Sequence, residues 1–142
     1  MGYRHGAHTV FEIHLHLVWT TKYRKGVLKG IVGERVRELI RQICRDEDVQ
    51  IMSGHVAKDH VHLFVSIAPQ VTISRLVQRL KGKSSYMVMA EFEHIRKQFW
   101  GRHFWARGYF CVSSGNVSDD VVKEYIEKHG RDEDVSFTVE GE

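Results

Sequence analysis

Residues 60–67 read His-Val-His-Leu-Phe-Val-Ser-Ile, a run of strand length rich in Val, Ile and Phe with Pro69 just beyond its end. Successive strand side chains leave on opposite faces, so Val61 must enter a core while His60 and His62 return together to the other face, about 6.6 Å apart along the strand. Such a run demands a sheet with one buried face, and it aims two imidazoles at one point where a cation can be gripped. Far downstream, Tyr125 and His129 lie four residues apart in a helical pattern, which puts a phenol and a further imidazole on one face with Cβ atoms roughly 5–6 Å apart. Together the four residues suggest a metal-assisted tyrosine nucleophile acting on a phosphodiester. The same His-x-His form recurs at His14 and His16 on an earlier strand, where the simpler reading is polar positions on a half-buried sheet face. His16 is placed to give a supporting hydrogen bond beside the site.

The remaining elements follow from periodicity. Residues 9–20 alternate as a first strand, a basic loop follows, and Ile31 to about Glu47 carries apolar residues at helical spacing. Val49–Val56 and His60–Ile67 form a hairpin across Ala57-Lys58-Asp59. Thr72 is placed to cap a helix through Leu80, which Gly82 ends or interrupts before the pattern resumes from Ser85 to about Phe92. Residues 103–112 look like a fourth strand, Ser118 is placed to cap a helix ending at Gly130, and Val135–Val139 can add an edge strand. This order fits an α/β fold, a ferredoxin-like or RRM-like sandwich whose antiparallel sheet of four or five strands carries helices mainly on one face.

The chain of 142 residues suits one domain spanning 1–142. With 42% hydrophobic residues it is globular, and no stretch approaches the roughly 18 apolar residues of a membrane span. No membrane partner is expected. The N-terminus lacks the apolar core of an export signal, and Cys44 and Cys111 read as core residues, so a soluble cytoplasmic protein is expected. The formal net charge of +3 hides an asymmetry, because the tail at about 131–142 is acidic while residues 1–130 hold 20 Lys and Arg against 13 Asp and Glu. Within 75–107 the basic residues face only Glu91 and Glu93, which points to an anionic polymer. Lys22, Arg24, Arg75, Arg79, Lys81, Lys83 and Arg102 are the phosphate-contact candidates, and Tyr23, Trp100, Phe104 and Trp105 are candidates to stack on unpaired bases. Gly82-Lys83-Ser84 is not a P-loop, since Val77 stands where its first glycine is required.

Several segments in this order resemble the small single-tyrosine HUH transposases of insertion sequences, of the TnpA type. They are His14 to Leu28, Lys58-Asp59-His60-Val61-His62-Leu63-Phe64-Val65, Lys81-Gly82-Lys83-Ser84-Ser85, Phe104-Trp105-Ala106-Arg107-Gly108-Tyr109 and the Tyr125 helix. The resemblance implies that His60 and His62 are metal ligands, that Tyr125 is the nucleophile forming a 5′-phosphotyrosine, and that position 129 supplies a third ligand. It implies a divalent cofactor, Mg²⁺ or Mn²⁺, and single-stranded DNA with terminal hairpins as substrate. A homodimer with active sites completed in trans is implied as well. The family commonly has glutamine where this chain has His129. Three imidazoles make a softer site, which shifts preference toward Mn²⁺ or another transition metal. The alternative is a non-catalytic RRM-like protein that binds single-stranded nucleic acid through its basic and aromatic surface.

Overall fold

The computed structural model describes residues 3–113 and 119–129, except the side chains of residues 102, 119, 122 and 129. In chain order the elements are β1 (Arg4–His5), β2 (Val10–Phe11), β3 (Ile13–Thr20), α1 (Gly30–Asp46), β4 (Gln50–Val56), β5 (His60–Ile67), α2 (Ile73–Glu91), the short α3 (Glu93–Arg96), β6 (Phe110–Ser113) and α4 (Asp119–His129). The main sheet has four strands in the order β4-β5-β3-β6, all neighbours antiparallel. Strands β3, β4, β5 and β6 with α1 and α2 give the β-α-β-β-α-β order of the ferredoxin-like sandwich. β1 and β2 pair as a separate small ribbon that the residue pattern had not announced.

Alternation dictates which face is covered. Leu15, Leu17 and Trp19 of β3 and Val61, Leu63 and Val65 of β5 are buried, and they join Val36, Ile40 and Ile43 of α1 and Leu76, Val77 and Leu80 of α2 in one core. Each fully buried aliphatic side chain contributes roughly 1.5–3 kcal/mol relative to exposure. Across the top of the two helices, Arg35 donates from Nε and Nη2 to both oxygens of Glu91, each at 2.9 Å. This forked geometry holds α1 against α2.

Three expectations change. Gly82 does not break the helix: α2 runs unbroken over 19 residues, because Leu80, Ser84 and Val88 continue its buried stripe past the glycine. A single interior glycine costs about 1 kcal/mol, less than that packing returns. The aromatic segment 103–112 forms a strand only from Phe110, since Phe104 and Trp105 bury their rings beside α2 instead of pairing along the sheet, with one isolated bridge between Thr21 and Trp105. The helices also divide: α1 and α2 share the core face, whereas α4 lies on the opposite face, where Tyr125 and Ile126 pack with Val18 and Phe110. The expected cap at Ser118, the end at Gly130 and the strand at Val135–Val139 lie outside the described residues.

Candidate functional site

On β5 the two histidines project from the face that α1 and α2 leave uncovered, and both are half-buried. Their cross-strand neighbours on β3 are Thr20 opposite His60 and Val18 opposite His62, and His55 of β4 stands on the other side of His62. The imidazole of His60 is held from behind: its Nδ1 lies 2.9 Å from Asp59 Oδ1. A carboxylate only accepts, so Nδ1 carries the proton and Nε2 keeps its lone pair, the tautomer a metal-binding imidazole needs. Asp59 is itself fixed by Arg24, whose Nε donates to Oδ2 over 3.2 Å. Burial raises the Asp59 carboxyl, but the hydrogen bonds from His60 and Arg24 outweigh it and hold the group below the usual carboxylate range.

Arg24 reaches Asp59 from a turn with an uncommon backbone. Tyr23 at φ 59° and Arg24 at φ 53° both occupy the left-handed region, which costs L-residues roughly 1–2 kcal/mol each. The turn is tied down on both sides: Thr21 N–H donates to Asp59 O at 3.0 Å, Leu28 N–H to Lys58 O at 2.8 Å and Lys22 N–H to Phe104 O at 2.9 Å. The first two bonds attach the basic loop to the β4–β5 hairpin that carries the histidines, and the third ties it to the segment before β6.

His62 is supported differently. Its Nε2 lies 3.1 Å from Nδ1 of His16, and His16 in turn stacks on Phe64 with ring centroids 4.5 Å apart. The sequence singled out His16 as a supporting residue beside the site, and this contact is where the chain puts it. Because His16 meets one of the two ring nitrogens of His62, a cation bound through that nitrogen displaces the contact, whereas binding through Nδ1 keeps it.

Tyr125 sits on the same sheet face, one strand away from His62. It is 9% exposed, packs with Val18 and Ile126, and holds its ring centroid 5.5 Å from that of Phe110. As Val18 is the cross-strand partner of both His62 and Phe110, α4 is seated directly beside the histidine pair. The side chain of His129, the expected third ligand, lies outside the described residues, as does that of Arg102. Among the described residues no three His, Cys, Asp or Glu side chains gather into a metal-binding group.

Several expected DNA contacts have other work. Phe104 is 1% exposed and Trp105 8%, so neither presents a face to a base. Their rings pack edge to face at 4.8 Å, and Trp105 Nε1 donates to Ser84 Oγ at 3.0 Å. Tyr23 and Trp100 are exposed and remain as stacking candidates. Arg24 is engaged with Asp59, Arg79 pairs with Glu47, and Lys81 Nζ donates to the carbonyls of Ala106 at 2.8 Å and Gly108 at 3.0 Å. Arg75 is exposed, while Lys22 and Lys83 are half-buried. The residue missed in the sequence is Asp59; its signal was an acid immediately before the histidine pair.

The chain as a whole is similar to known proteins. A family model described as "Transposase IS200 like" matches residues 9–129. The chain is 30% identical over 138 residues, 95% of its own length and 91% of the relative's, to the transposase for insertion sequence element IS200 of Salmonella typhimurium. It is likewise 30% identical over 118 residues, 83% of this chain and 84% of the other, to the ISDra2 transposase TnpA of Deinococcus radiodurans. The fold matches a crystal structure described as a transposase from Deinococcus radiodurans R1 with a TM-score of 0.77 and 30% identity, over 87% of this chain and 95% of that one. A REP-associated tyrosine transposase bound to a REP hairpin shares the fold at a TM-score of 0.57 and 11% identity, over 88% of this chain and 69% of that one. No described helix is long and apolar enough to cross a membrane. The chain therefore belongs to the IS200-like transposases, enzymes that cleave DNA and transfer its strands.

Proposed function

We propose that this transposase cleaves and rejoins single-stranded DNA at the ends of its insertion sequence, with Tyr125 as nucleophile. The observation that carries the reading is the seating of Tyr125 on the face of the sheet that bears His60 and His62, one strand from the pair. In the forward step the phenolic oxygen attacks phosphorus in line. A Tyr125–phosphorus bond forms, the bond from phosphorus to the 3′-oxygen breaks, and the phenolic proton is transferred so that the strand departs as a 3′-hydroxyl. Attack by an incoming 3′-hydroxyl reverses the step and frees Tyr125. The phosphoester bond is conserved throughout, so rejoining needs no nucleotide cofactor.

His60, His62 and His129 would hold a divalent cation, Mg²⁺ or Mn²⁺. The fit rests on the tautomer that Asp59 imposes on His60, and the imidazole donor set favours Mn²⁺ or another transition metal. When bound, such a cation supplies charge neutralisation and polarisation of a phosphate oxygen. The chain's own share is orientation: Arg24 fixes Asp59, Asp59 fixes His60, and His16 steadies His62 when the cation takes the other ring nitrogen, Nδ1. Its substrate is single-stranded DNA carrying terminal hairpins. The working unit is a homodimer; α4 lies against the histidine face of its own subunit here, so completion of the site in trans requires the two subunits to exchange that helix.

The direct test is incubation with Mn²⁺ and single-stranded DNA from the element's own ends, followed by denaturing electrophoresis. A covalent protein–DNA adduct that vanishes in Tyr125→Phe supports the nucleophile; an equal adduct in that variant overturns it. Mixing Tyr125→Phe with His60→Ala subunits reads the assembly, since adduct returns only if sites are shared between subunits. The burial of Tyr125 against Phe110 favours one rival reading, a non-catalytic RRM-like single-stranded nucleic-acid-binding protein, for which Tyr125→Phe changes nothing.

A further inference from the structure

α1 and the outermost strand β4 diverge to leave a cavity of about 460 Å³, floored by Leu28, Ile40, Ile51 and Leu63 and rimmed by Lys29, Arg37 and Arg41. A second opening continues along the same two elements past Arg41 and Arg45, sharing Ile51 and Gly54 with the first, so the two form one trough along the free edge of the sheet. Gly33 keeps its wall back: a Cβ there would stand 2.8 Å from the Leu28 carbonyl oxygen.

The rim is a stripe of like charge. Arg37, Arg41 and Arg45 follow one another at single-turn spacing, spanning about 12 Å along the helix. Among the described residues none of the three makes an ion pair or side-chain hydrogen bond, whereas Arg35 on the same helix is paired with Glu91 and Glu38. Like charges one turn apart repel within a helix, so folding gives no reason for the stripe. Glu34 is the one acid among the residues described as lining the trough. In the basic segment that the sequence emphasised, Arg79, Lys81 and Arg96 are engaged with the protein's own carboxylate or carbonyl oxygens, so its charge is partly spent on the fold. At its upper end the trough reaches His55, whose ring centroid is 6.4 Å from that of His60.

We infer that this trough is a second DNA-contact surface, along which the phosphodiester backbone of the substrate passes Arg45, Arg41 and Arg37 and then rounds the outer strand β4 at His55 to reach the histidine pair on the other face of the sheet. The inference rests on the strand-cleavage reading above and adds the path of the strand. Its contribution is electrostatic and independent of base sequence, which is how phosphate contacts act.

The test compares full-length protein carrying Tyr125→Phe, which cannot form an adduct, with the same protein carrying in addition Arg37→Gln, Arg41→Gln and Arg45→Gln. The probe is fluorescein-labelled thirty-residue oligothymidylate, read by anisotropy across a salt titration. Loss of three phosphate contacts lowers the slope of log K against log salt by about 2. The matching triple lysine variant keeps the slope, and equal melting temperatures confirm that all three proteins are folded. An unchanged slope in the glutamine variant overturns the inference. So does a slope change accompanied by conversion of a dimer to a monomer in size-exclusion chromatography, because the trough is then a subunit interface. Failure of the strand-cleavage reading is distinguishable: protein with Tyr125 intact then gives no adduct on element-end DNA, whatever the arginines do to oligothymidylate.

Discussion

β3 and β5 present two unlike surfaces built from alternate residues of the same strands. Toward α1 and α2 they offer Leu15, Leu17, Trp19, Val61, Leu63 and Val65, all buried. On the other side they offer half-buried His14, His16, His60, His62 and Phe64, with ring contacts joining His14, His16, His62 and Phe64, beside the buried Val18, Thr20 and Ser66. The covered surface gains from removal of hydrocarbon from water and from close packing. Away from the apolar patch where α4 covers Val18, the histidine surface gains net hydrogen-bond energies of about 0.5–1.5 kcal/mol apiece, which a folded protein can forgo. Outside the patch that α4 covers at Val18, stability and chemistry are therefore separable by choosing the parity of the residue that is changed.

The sharpest cut through that contrast is Tyr125→Phe, expected to lower adduct formation by more than about 1000-fold, as loss of a nucleophile does. The melting temperature should hold within about 4 °C, because the phenyl ring still fills the space beside Phe110. On the covered surface Leu63→Ala should cost about 2–5 kcal/mol in urea denaturation. A loss below about 1 kcal/mol would contradict the packing assigned to that face. Smaller again is Asp59→Ala, which releases the ring of His60 and should weaken Mn²⁺ binding about 10–100-fold by calorimetry. An unchanged affinity would remove Asp59 from the orienting role.

The smallest effect belongs to the far side of the helices. The hydrogen bond from Arg35 holds the Glu91 carboxyl below its ordinary value. A group depressed in the folded state stabilises above its unfolded value, roughly pH 4.3, and that contribution fades as pH falls through the folded one. Screening at this exposed pair limits it to under about 1 kcal/mol. Glu91→Gln should flatten the pH dependence of the urea midpoint near pH 4 by no more than that amount.

Much of this was legible residue by residue. The period-two runs of β3 and β5 and the stripe of α1 emerge close to their observed limits, because hydrophobic spacing there agrees with local propensity. His60 and His62 share a face for the same reason. Gly82 misled because a buried stripe continued across it, information carried by tertiary packing. Phe104 and Trp105 misled because an aromatic beside basic residues looks the same in sequence whether it stacks on a base or fills a core. The face chosen by α4, and with it the neighbourhood of Tyr125, depended on Val18 and Phe110 making an apolar patch among the histidines. The three arginines of α1 read in sequence as ordinary solvated positions because Glu34 and Glu38 stand among them; folding pairs Glu38 with Arg35 and leaves Glu34 as the acid of the trough.

β4 has one further trait. Between Ile51 and Ser53 its pairing with β5 slips, leaving Met52 extra in the ladder. An outermost strand that is straight invites other chains to add themselves as further strands, and a kinked one denies them a template. The bend, with cationic side chains standing over it, guards this molecule against the stacking by which exposed strand edges nucleate fibrils.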